Sequence, residues 1–274
     1  MVKVRLLITS IQNPEVKIYR SLARKKNREK TGLIPLEGVR LIEEACKFKA
    51  EFNTVFYTEE CLKNQRSKNL LQLIKAQNPR ANIVNITGSL LKEMSDTENS
   101  QGIIATVNKP EYELSEIMKV KNPLIVVACG VQDPGNLGTI IRTASAASCA
   151  GVVITRGTVD VFNPKTLRAT MGAIFHLPVV VVKDVQALIV FLRFNKISLV
   201  VTDLEGEINC FQADLTRSTA LIFGSEAFGI SDEIKRAADY RIKIPLIGPA
   251  ESLNVSVSAG ILIYEVLRQR HFSF

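Results

Sequence analysis

Three glycine-containing loops carry the side chains of this 274-residue sequence that are best suited to chemistry. Each loop follows an apolar run and leads towards a helical pattern; with the start of that pattern, the three stretches span residues 130–146, 221–231 and 244–269. In an open sheet of parallel strands, the loops that leave the carboxyl ends of the strands form the ligand crevice. The sequence therefore predicts one binding site built from three distant parts of the chain.

The first loop, GVQDPGNLGTIIRTASA, combines glycines with one arginine. Gly135 and Gly138 allow a tight turn into a helix, and the side chain of Arg142 is expected to point back towards the start of that helix. The pattern is not the G-x-G-x-x-G dinucleotide fingerprint, because its spacing differs and no acidic residue follows at the ribose distance. This argues against a nucleotide-dependent dehydrogenase, although a capped turn with a surface arginine remains an alternative.

The other two loops supply small polar side chains. In LIFGSEAFGIS, Ser225 and Glu226 follow Gly224, and Glu226 could equally be a structural carboxylate that holds loop N–H groups. In IPLIGPAESLNVSVSAG, prolines and glycine stiffen and bend the loop, and Ser252 and Asn254 precede the last helix. These two residues could cap the helix or orient a substrate hydroxyl, and the sequence leaves both roles open.

Alternating helix and strand patterns divide the chain into two α/β regions. Residues 1–108 form the smaller region, with a helix predicted from Pro14 to about Lys30. Residues 109–121 have few large apolar residues at core spacing and are predicted to be a linker. In residues 122–274 the strand candidates are continuous apolar runs, as expected of a doubly wound parallel sheet covered on both faces.

The excess of positive over negative charge lies in the smaller region. Residues 1–110 contain 19 Lys and Arg against 11 Asp and Glu, whereas residues 111–274 contain 16 of each. The densest run is RKKNREK, from Arg24 to Lys30. Charge segregated onto one domain favours contact with a polyanion. Such a contact depends little on the sequence of the polyanion and weakens as the salt concentration rises.

Other features narrow the class of protein. No apolar run is long enough to cross a bilayer, and the start of the sequence lacks a signal core; we therefore expect a cytoplasmic protein without membrane contact. The five cysteines are scattered, without a C-x-x-C pair, and there are two histidines. We therefore expect reduced, mostly buried thiols and no metal site.

The three loops also resemble a known family. N-x-G-x-x-x-R over residues 136–142, F-G-S-E over 223–226, and I-P with S-L-N-V-S over 244–256 are similar to motifs one, two and three of the SpoU (TrmH-type) RNA ribose 2'-O-methyltransferases. NPKTLRATMGAIFHLPV is similar to the middle segment of that family, so the resemblance covers about residues 123–270. More weakly, the stretches ITS.QNP, LEG and residues 96–102 resemble the L30e-like substrate-binding domain of the family.

The resemblance implies a fold, a cofactor and a set of site residues. The fold would be a SPOUT-type α/β knot, a trefoil-knotted parallel sheet over residues 122–274, preceded by an L30e-like α/β domain over residues 1–108. The cofactor would be S-adenosylmethionine, and the protein would be a homodimer. The residues implied to bind the cofactor are Gly224, Ile244, Leu253 and, as a looser match, Thr202. Those implied for catalysis are Arg142, Asn136, Glu226, Ser252 and Asn254.

The resemblance further implies that RNA is the partner. The L30e-like front domain favours ribosomal RNA, and specifically 23S ribosomal RNA, over transfer RNA, which remains an alternative. A non-catalytic RNA-binding protein would be expected to have a broken motif one or three, whereas Asn136, Arg142 and Asn254 are all present. The residues expected to contact RNA are Arg24, Lys25, Lys26, Arg28 and Arg168.

Overall fold

The computed structural model describes residues 7–225 and 229–272, and these fold as two units. One unit consists of the chain up to Pro110 together with Phe162–Phe175. The other consists of Glu111–Val161 and the chain from His176 onward. A short segment from the second half of the sequence therefore packs with the first unit.

The front of the chain alternates strands and helices around one mixed sheet. In chain order its elements are β1 (Leu7–Ile8), α1 (Pro14–Ser21), α2 (Lys25–Thr31), β2 (Leu33–Glu37), α3 (Val39–Lys47), β3 (Phe52–Tyr57), a 3₁₀ turn (Glu60–Lys63), α4 (Gln65–Gln77), β4 (Asn82–Ile86), α5 (Gly88–Met94) and β5 (Ile103–Asn108). The strand order is β1-β4-β3-β5-β2, with β5 antiparallel to both neighbours. Pro35 lies in β2, where the missing N–H is tolerated because β2 is an edge strand.

The single helix predicted from Pro14 to about Lys30 is in fact two helices. Asn13 caps α1 by accepting a hydrogen bond from the backbone N–H of Glu15 at 2.9 Å. After Ser21 the chain turns, and Arg24 has extended dihedral angles before α2 begins. The prediction was wrong because helical composition continues through a turn that tertiary contacts stabilise.

Arg28 provides those contacts. It is only 3 % exposed, and its guanidinium donates hydrogen bonds to the carbonyl oxygens of Leu22 and Ala23 at the end of the first helix. These carbonyls have no partner further along the helix, so the guanidinium satisfies them. Arg28 therefore stabilises the corner between α1 and α2, and its contact with RNA stays a prediction.

The remainder of the chain builds a seven-stranded sheet. Its elements are α6 (Leu114–Ile117), β6 (Leu124–Ala128), α7 (Pro134–Ala146), β7 (Gly151–Thr155), α8 (Pro164–Thr170), a 3₁₀ turn (Ala173–Phe175), β8 (Val179–Val182), α9 (Val185–Phe194), β9 (Ser198–Thr202), β10 (Ile208–Asn209), β11 (Thr219–Phe223), α10 (Asp232–Ala237), β12 (Tyr240–Lys243) and α11 (Val255–His271). Of these, α8 and the turn after it lie in the segment that packs with the first unit.

Every strand pairing described in the seven-stranded sheet is parallel. The order is β10-β12-β9-β11-β6-β7-β8, so β11 and β6 occupy the centre. Every residue of β6, β7 and β11 is buried, as the continuous apolar runs predicted for strands covered on both faces. The parallel α/β architecture expected from the sequence is confirmed.

The segment predicted to be a linker contributes to the core of the second unit. Ile117, in α6, is fully buried in an apolar cluster that includes Ile125 of β6. Tyr112, Leu114 and Met118 pack against the same cluster. The sequence pattern did not indicate this role, because four apolar residues in and around a helix of four residues give little periodicity.

The cysteines and the helices can be compared with what the sequence led us to expect. Each of the five cysteines is a free thiol and is buried. Within residues 7–225 and 229–272, none of the helices combines the length and apolar character needed to cross a membrane.

Replacing Arg28 tests its role as a stabilising residue. Arg28→Ala should lower the free energy of unfolding by about 1–3 kcal/mol, because the carbonyls of Leu22 and Ala23 lose a charged donor in a buried position. Urea denaturation followed by circular dichroism measures the change. Arg24→Ala is the matched control, since Arg24 is exposed in the same turn and should alter stability by less than about 0.5 kcal/mol; equal effects of the two substitutions would contradict the assignment.

Candidate active site

The carboxyl ends of neighbouring parallel strands open into one cavity of the second unit. The cavity has a volume of ≈ 350 Å³. Its walls come from the end of β9, the loop after β11, the start of α10, and the chain between β12 and α11. Because β12, β9 and β11 are adjacent and parallel, loops far apart in sequence meet at one edge of the sheet.

The residues expected to bind the cofactor are brought together in this cavity. Thr202, Gly224, Ile244 and Leu253 all contribute to its lining, and so does Ser252, which was expected to be catalytic. The Thr202 hydroxyl donates to the carbonyl oxygen of Ile222 at 3.0 Å, so that the end of β9 is tied to β11.

Gly224 is required by the turn of the second loop. A side chain there would place its Cβ 2.4 Å from the backbone carbon of Gly229. Ser225 and Gly229 form a pair of backbone hydrogen bonds, at 3.2 and 2.9 Å, which returns the chain upon itself beside the cavity. Glu226, which the sequence suggested for catalysis, lies outside the described residues.

Two asparagines join the starts of α7 and α11. Asn254 caps α11 by accepting from the backbone N–H of Ser256 at 2.9 Å, and its amide donates to the Oδ1 atom of Asn136 at 2.9 Å. Asn136 is itself placed by a hydrogen bond from its backbone N–H to the Asp133 carboxylate at 2.8 Å, which caps α7. The first and third loops are thus linked directly, and capping accounts for one of the two roles left open for Asn254.

A smaller cavity of ≈ 80 Å³ lies beside this pair of asparagines. Asn136 and Gln132 line it, and Ser225 and Val255 line both this cavity and the larger one. The two cavities are therefore neighbours, and Asn136 of the asparagine pair lines the smaller one.

The two arginines expected in the site lie elsewhere. Arg142 is exposed on α7 but lines neither cavity, and it forms no ion pair or hydrogen bond with another described residue. Arg168, in the segment that packs with the first unit, lies 3.7 Å from the carboxylates of both Glu37 and Asp96.

Sequence reasoning missed the two charged side chains that line the larger cavity, Asp203 and Lys235. They form an ion pair at 2.9 Å, and Arg241 of β12 contacts the same carboxylate at 3.1 Å. Asp203 could have been found from its place at the carboxyl end of β9, directly after Thr202. Lys235 carried no signal, because only the tertiary structure brings α10 to this strand end.

The pKa of Asp203 reflects this network. Burial of the carboxyl group raises its pKa, but hydrogen bonds from Lys235, the backbone N–H of Glu205 and Arg241 together lower it below the ordinary value. Asp203 is therefore ionised at neutral pH and holds β9, α10 and β12 together around the cavity.

Other chemistry receives no support from the site. Cys129 lies at the end of β6 close to the cavities, but burial raises the pKa of its thiol to about 11, so it is protonated and a poor nucleophile. In the described part of the chain, no group of three or more His, Cys, Asp or Glu side chains is placed to hold a metal ion.

Comparison with known proteins identifies the class of protein that this fold and site define. Residues 123–264 match the model of the SpoU rRNA methylase family, and residues 13–105 match an MRM3-like substrate-binding domain. The chain belongs to the SpoU rRNA methylase family. The fold is accordingly the SPOUT-type α/β knot with an amino-terminal substrate-binding domain, as the sequence motifs indicated.

Individual relatives resemble almost the whole chain. RlmP of Bacillus subtilis, a 23S rRNA guanosine 2'-O-methyltransferase, is 34% identical and the match covers 94% of this chain and 98% of RlmP. An uncharacterized tRNA/rRNA methyltransferase of Synechocystis is 32% identical over 96% of this chain and 94% of its own length. The crystal structure of AviRb from Streptomyces viridochromogenes with AdoMet superimposes with a TM-score of 0.86 at 28% identity and covers 94% of this chain and 98% of AviRb.

The protein is therefore an RNA methyltransferase that uses S-adenosylmethionine, and the larger cavity fits that cofactor. Its volume of ≈ 350 Å³ lies in the range of small-molecule sites. Its lining includes apolar residues such as Phe223, Ile230 and Leu246, which would contact the apolar parts of the cofactor, and Asp203, Ser252 and Ser258, which would offer polar groups to it.

The Asp203 network predicts a pH-dependent contribution to stability. Asp203→Asn should lower the free energy of unfolding by about 1–2 kcal/mol at pH 7, because Lys235 and Arg241 lose a shared negative partner. Since the folded-state pKa is lowered, the contribution is complete above the unfolded pKa of about 3.9 and is lost as the pH falls through the folded value. The difference between the two proteins should therefore shrink below about pH 4.

Urea titrations of both proteins across pH 3–7 measure that difference. Glu207→Gln is the control, because Glu207 is 77% exposed and lies 3.7 Å from the same arginine; its effect should stay below about 0.5 kcal/mol. A difference for Asp203→Asn that is constant down to pH 3 would count against an ionised Asp203 as the cause.

Proposed function

We propose that this protein transfers the methyl group of S-adenosylmethionine to the 2'-hydroxyl of a ribose in 23S ribosomal RNA. The observation that carries the proposal is the joining of the three loops: the asparagine pair at 2.9 Å lies beside two neighbouring cavities, one of them lined by all four residues expected to bind the cofactor. The end-to-end similarity to RlmP, whose name specifies 23S rRNA, supports the ribosomal substrate.

The chemistry requires three things of the protein. The cofactor, when bound, supplies an electrophilic methyl group on its sulfonium. The chain must hold the ribose hydroxyl in line with that group, assist the loss of its proton and exclude water. The smaller cavity is suited to the hydroxyl, because Ser225 and Val255 separate it from the cofactor cavity by a single layer of side chains.

In this proposal, Arg142 stabilises negative charge and does not act as a base. A guanidinium hardly deprotonates, so it is a poor general base. It can instead bind the RNA phosphate beside the target ribose and stabilise the negative charge that develops on the attacking oxygen. Its exposure, and the absence of any ion pair to the described residues, leave it available for this contact.

The remaining site residues are proposed to hold the loops in place and to orient the substrate or the cofactor. Asn136 and Asn254 fix the starts of α7 and α11, so that the polar groups at the smaller cavity keep one geometry. Ser252, which lines the cofactor cavity, is proposed to orient the hydroxyl or the cofactor. We retain Glu226 as a catalytic candidate on the motif alone.

The first unit is proposed to bind the RNA. A groove of ≈ 310 Å³ is lined by Lys17, Arg20 and Arg24, and none of these three forms an ion pair with a described residue. Lys25 and Lys26 continue the exposed basic surface, although Lys25 lies 3.8 Å from Glu29. We propose the division of labour expected from the sequence, with RNA binding over residues 1–108 and methyl transfer over residues 122–274, in a cytoplasmic protein.

A homodimer is part of the proposal. On α11, Val257 and Tyr264 are 50% and 54% exposed and, seven residues apart, lie on one face of the helix. A second copy of the chain would cover this face. It would also account for Arg142, which is exposed on the helix packed against α11 but lines neither cavity of its own chain.

Loss of Arg142 should abolish turnover and spare cofactor binding. In Arg142→Ala, methyl transfer from labelled S-adenosylmethionine to 23S rRNA should fall at least about 100-fold, whereas the cofactor dissociation constant measured by calorimetry should change less than about twofold. Arg217→Ala is the control, because Arg217 is 86% exposed and pairs only weakly, at 4.0 Å, with Asp214. Label found in transfer RNA instead of 23S rRNA would overturn the ribosomal substrate. Turnover retained in Arg142→Ala would reject the proposed role of Arg142.

Charged residues on the α11 face should disrupt the dimer. Analytical ultracentrifugation should give twice the mass of the 274-residue chain for the native protein, and the double variant Val257→Lys, Tyr264→Lys should sediment as a monomer, because a buried unpaired lysine is costly. Val190→Lys, at a 64% exposed position of α9, should leave the dimer intact. A native monomer, or a dimer insensitive to the α11 substitutions, would refute this interface.

A further inference from the structure

The first unit contains a cavity lined by a buried tyrosine whose hydroxyl has no hydrogen-bonding partner among the described residues. The cavity has a volume of ≈ 220 Å³ and lies between α1, β2 and the chain after α5. Tyr19 is 6% exposed, and no hydrogen bond joins its hydroxyl to another residue of the described chain. The hydroxyl therefore remains available to donate a hydrogen bond to a ligand in the cavity.

The Tyr19 hydroxyl is a donor at neutral pH. Burial raises the pKa of Tyr19 well above its ordinary value, the negative charges of Glu37 and Asp96 raise it further, and Arg168 opposes them. Tyr19 and Asp96 line the same cavity. The ring of Tyr19 is held by an edge-to-face contact with Phe56, with 5.9 Å between centroids.

Two carboxylates line the same cavity, and one is fixed in place. The backbone N–H of Asp96 donates to Glu37 at 3.1 Å, and the Asp96 carboxylate lies 3.7 Å from the guanidinium of Arg168. Asp96 nevertheless keeps 53% of its side chain exposed. Glu93, at the end of α5, is the second carboxylate. Arg168 thereby acts as a positioning residue for Asp96.

Arg20 connects this cavity to the basic groove. It lines both the ≈ 220 Å³ cavity and the ≈ 310 Å³ groove that Lys17 and Arg24 also line. One side of Arg20 therefore faces a hollow with donors and acceptors on its walls, and the other faces a surface suited to phosphates. This is the combination that an unpaired nucleotide requires.

We propose that the cavity binds an unpaired guanine of the RNA substrate, with the adjoining phosphates in the basic groove. The proposal rests on the proposed function, because it assumes RNA as the ligand. Guanine presents two neighbouring donors, N1–H and the 2-amino group, to a carboxylate, and its O6 accepts from the Tyr19 hydroxyl or from Arg20. Adenine and uracil would each direct an acceptor atom at the carboxylates and are therefore disfavoured.

The test measures the base preference of the full-length protein in binding. Fluorescence anisotropy gives the affinities for labelled RNA pentamers of sequence UUGUU, UUAUU and UUIUU, where I is inosine. The native protein should bind UUGUU about tenfold more tightly than UUAUU. The inosine pentamer should fall between them, because inosine keeps N1–H and O6 but lacks the amino group.

Single substitutions identify the groups responsible. Asp96→Asn, Glu93→Gln and Tyr19→Phe should each reduce the guanine preference to about threefold or less, with the affinity for UUAUU changed less than about twofold. Glu98→Gln, an exposed carboxylate nearby that does not line the cavity, should leave the preference unchanged. Arg24→Ala should weaken binding of all three pentamers by the same factor, since it contacts phosphate alone.

The outcomes separate this proposal from the proposed function. A native protein without guanine preference, or a preference that survives all three cavity substitutions in proteins with native circular dichroism, overturns the guanine site. Pentamer binding requires no methyl transfer, so failure of 23S rRNA methylation with an intact guanine preference would reject only the proposed function. Methylation that proceeds without any guanine preference would reject only the cavity proposal.

Discussion

The parallel register of the central strands is the constraint on which the active site depends. Because β9, β11 and β12 run in one direction and are hydrogen-bonded neighbours, the chain must leave all three at the same edge of the sheet. The loop after β11 then folds back through the Ser225–Gly229 pair, and the chain after β12 enters α11 beside it. Reversing any of these strands would move one wall of the cofactor cavity to the opposite edge.

Polar contacts convert this closeness into a fixed geometry. The amide oxygen of Asn254 accepts from a backbone N–H at the start of α11, and its amide nitrogen donates to Asn136, so one side chain caps the helix and links the two loops. Asp203 also links separate elements, because Lys235 of α10 and Arg241 of β12 both form ion pairs with its carboxylate. A cofactor held by loops needs such ties, because loops are otherwise the most mobile parts of a fold.

The first unit shows how one buried carboxylate can organise a surface. Glu37 is 9% exposed and accepts hydrogen bonds from Ser95, Thr97 and the backbone of Asp96. These bonds fix the chain after α5. Arg168, which belongs to the segment Phe162–Phe175 of the first unit, balances the negative charge of Glu37. A phosphate contact, the role expected of Arg168 from the sequence, would compete with these two carboxylates for the same guanidinium.

The sequence by itself determined the alternation of helices and strands, the buried parallel strands of residues 122–274, and the three loops, because glycine, proline and apolar runs act through local backbone freedom and through burial. It also indicated the family, since the motifs are contiguous. Only the tertiary structure decided that Arg28 closes a corner, that Ile117 is core, and that Asp203 meets Lys235. Each of these depends on a partner from another element. The energy of such a contact is set by burial and distance, and the spacing of residues along the sequence gives neither.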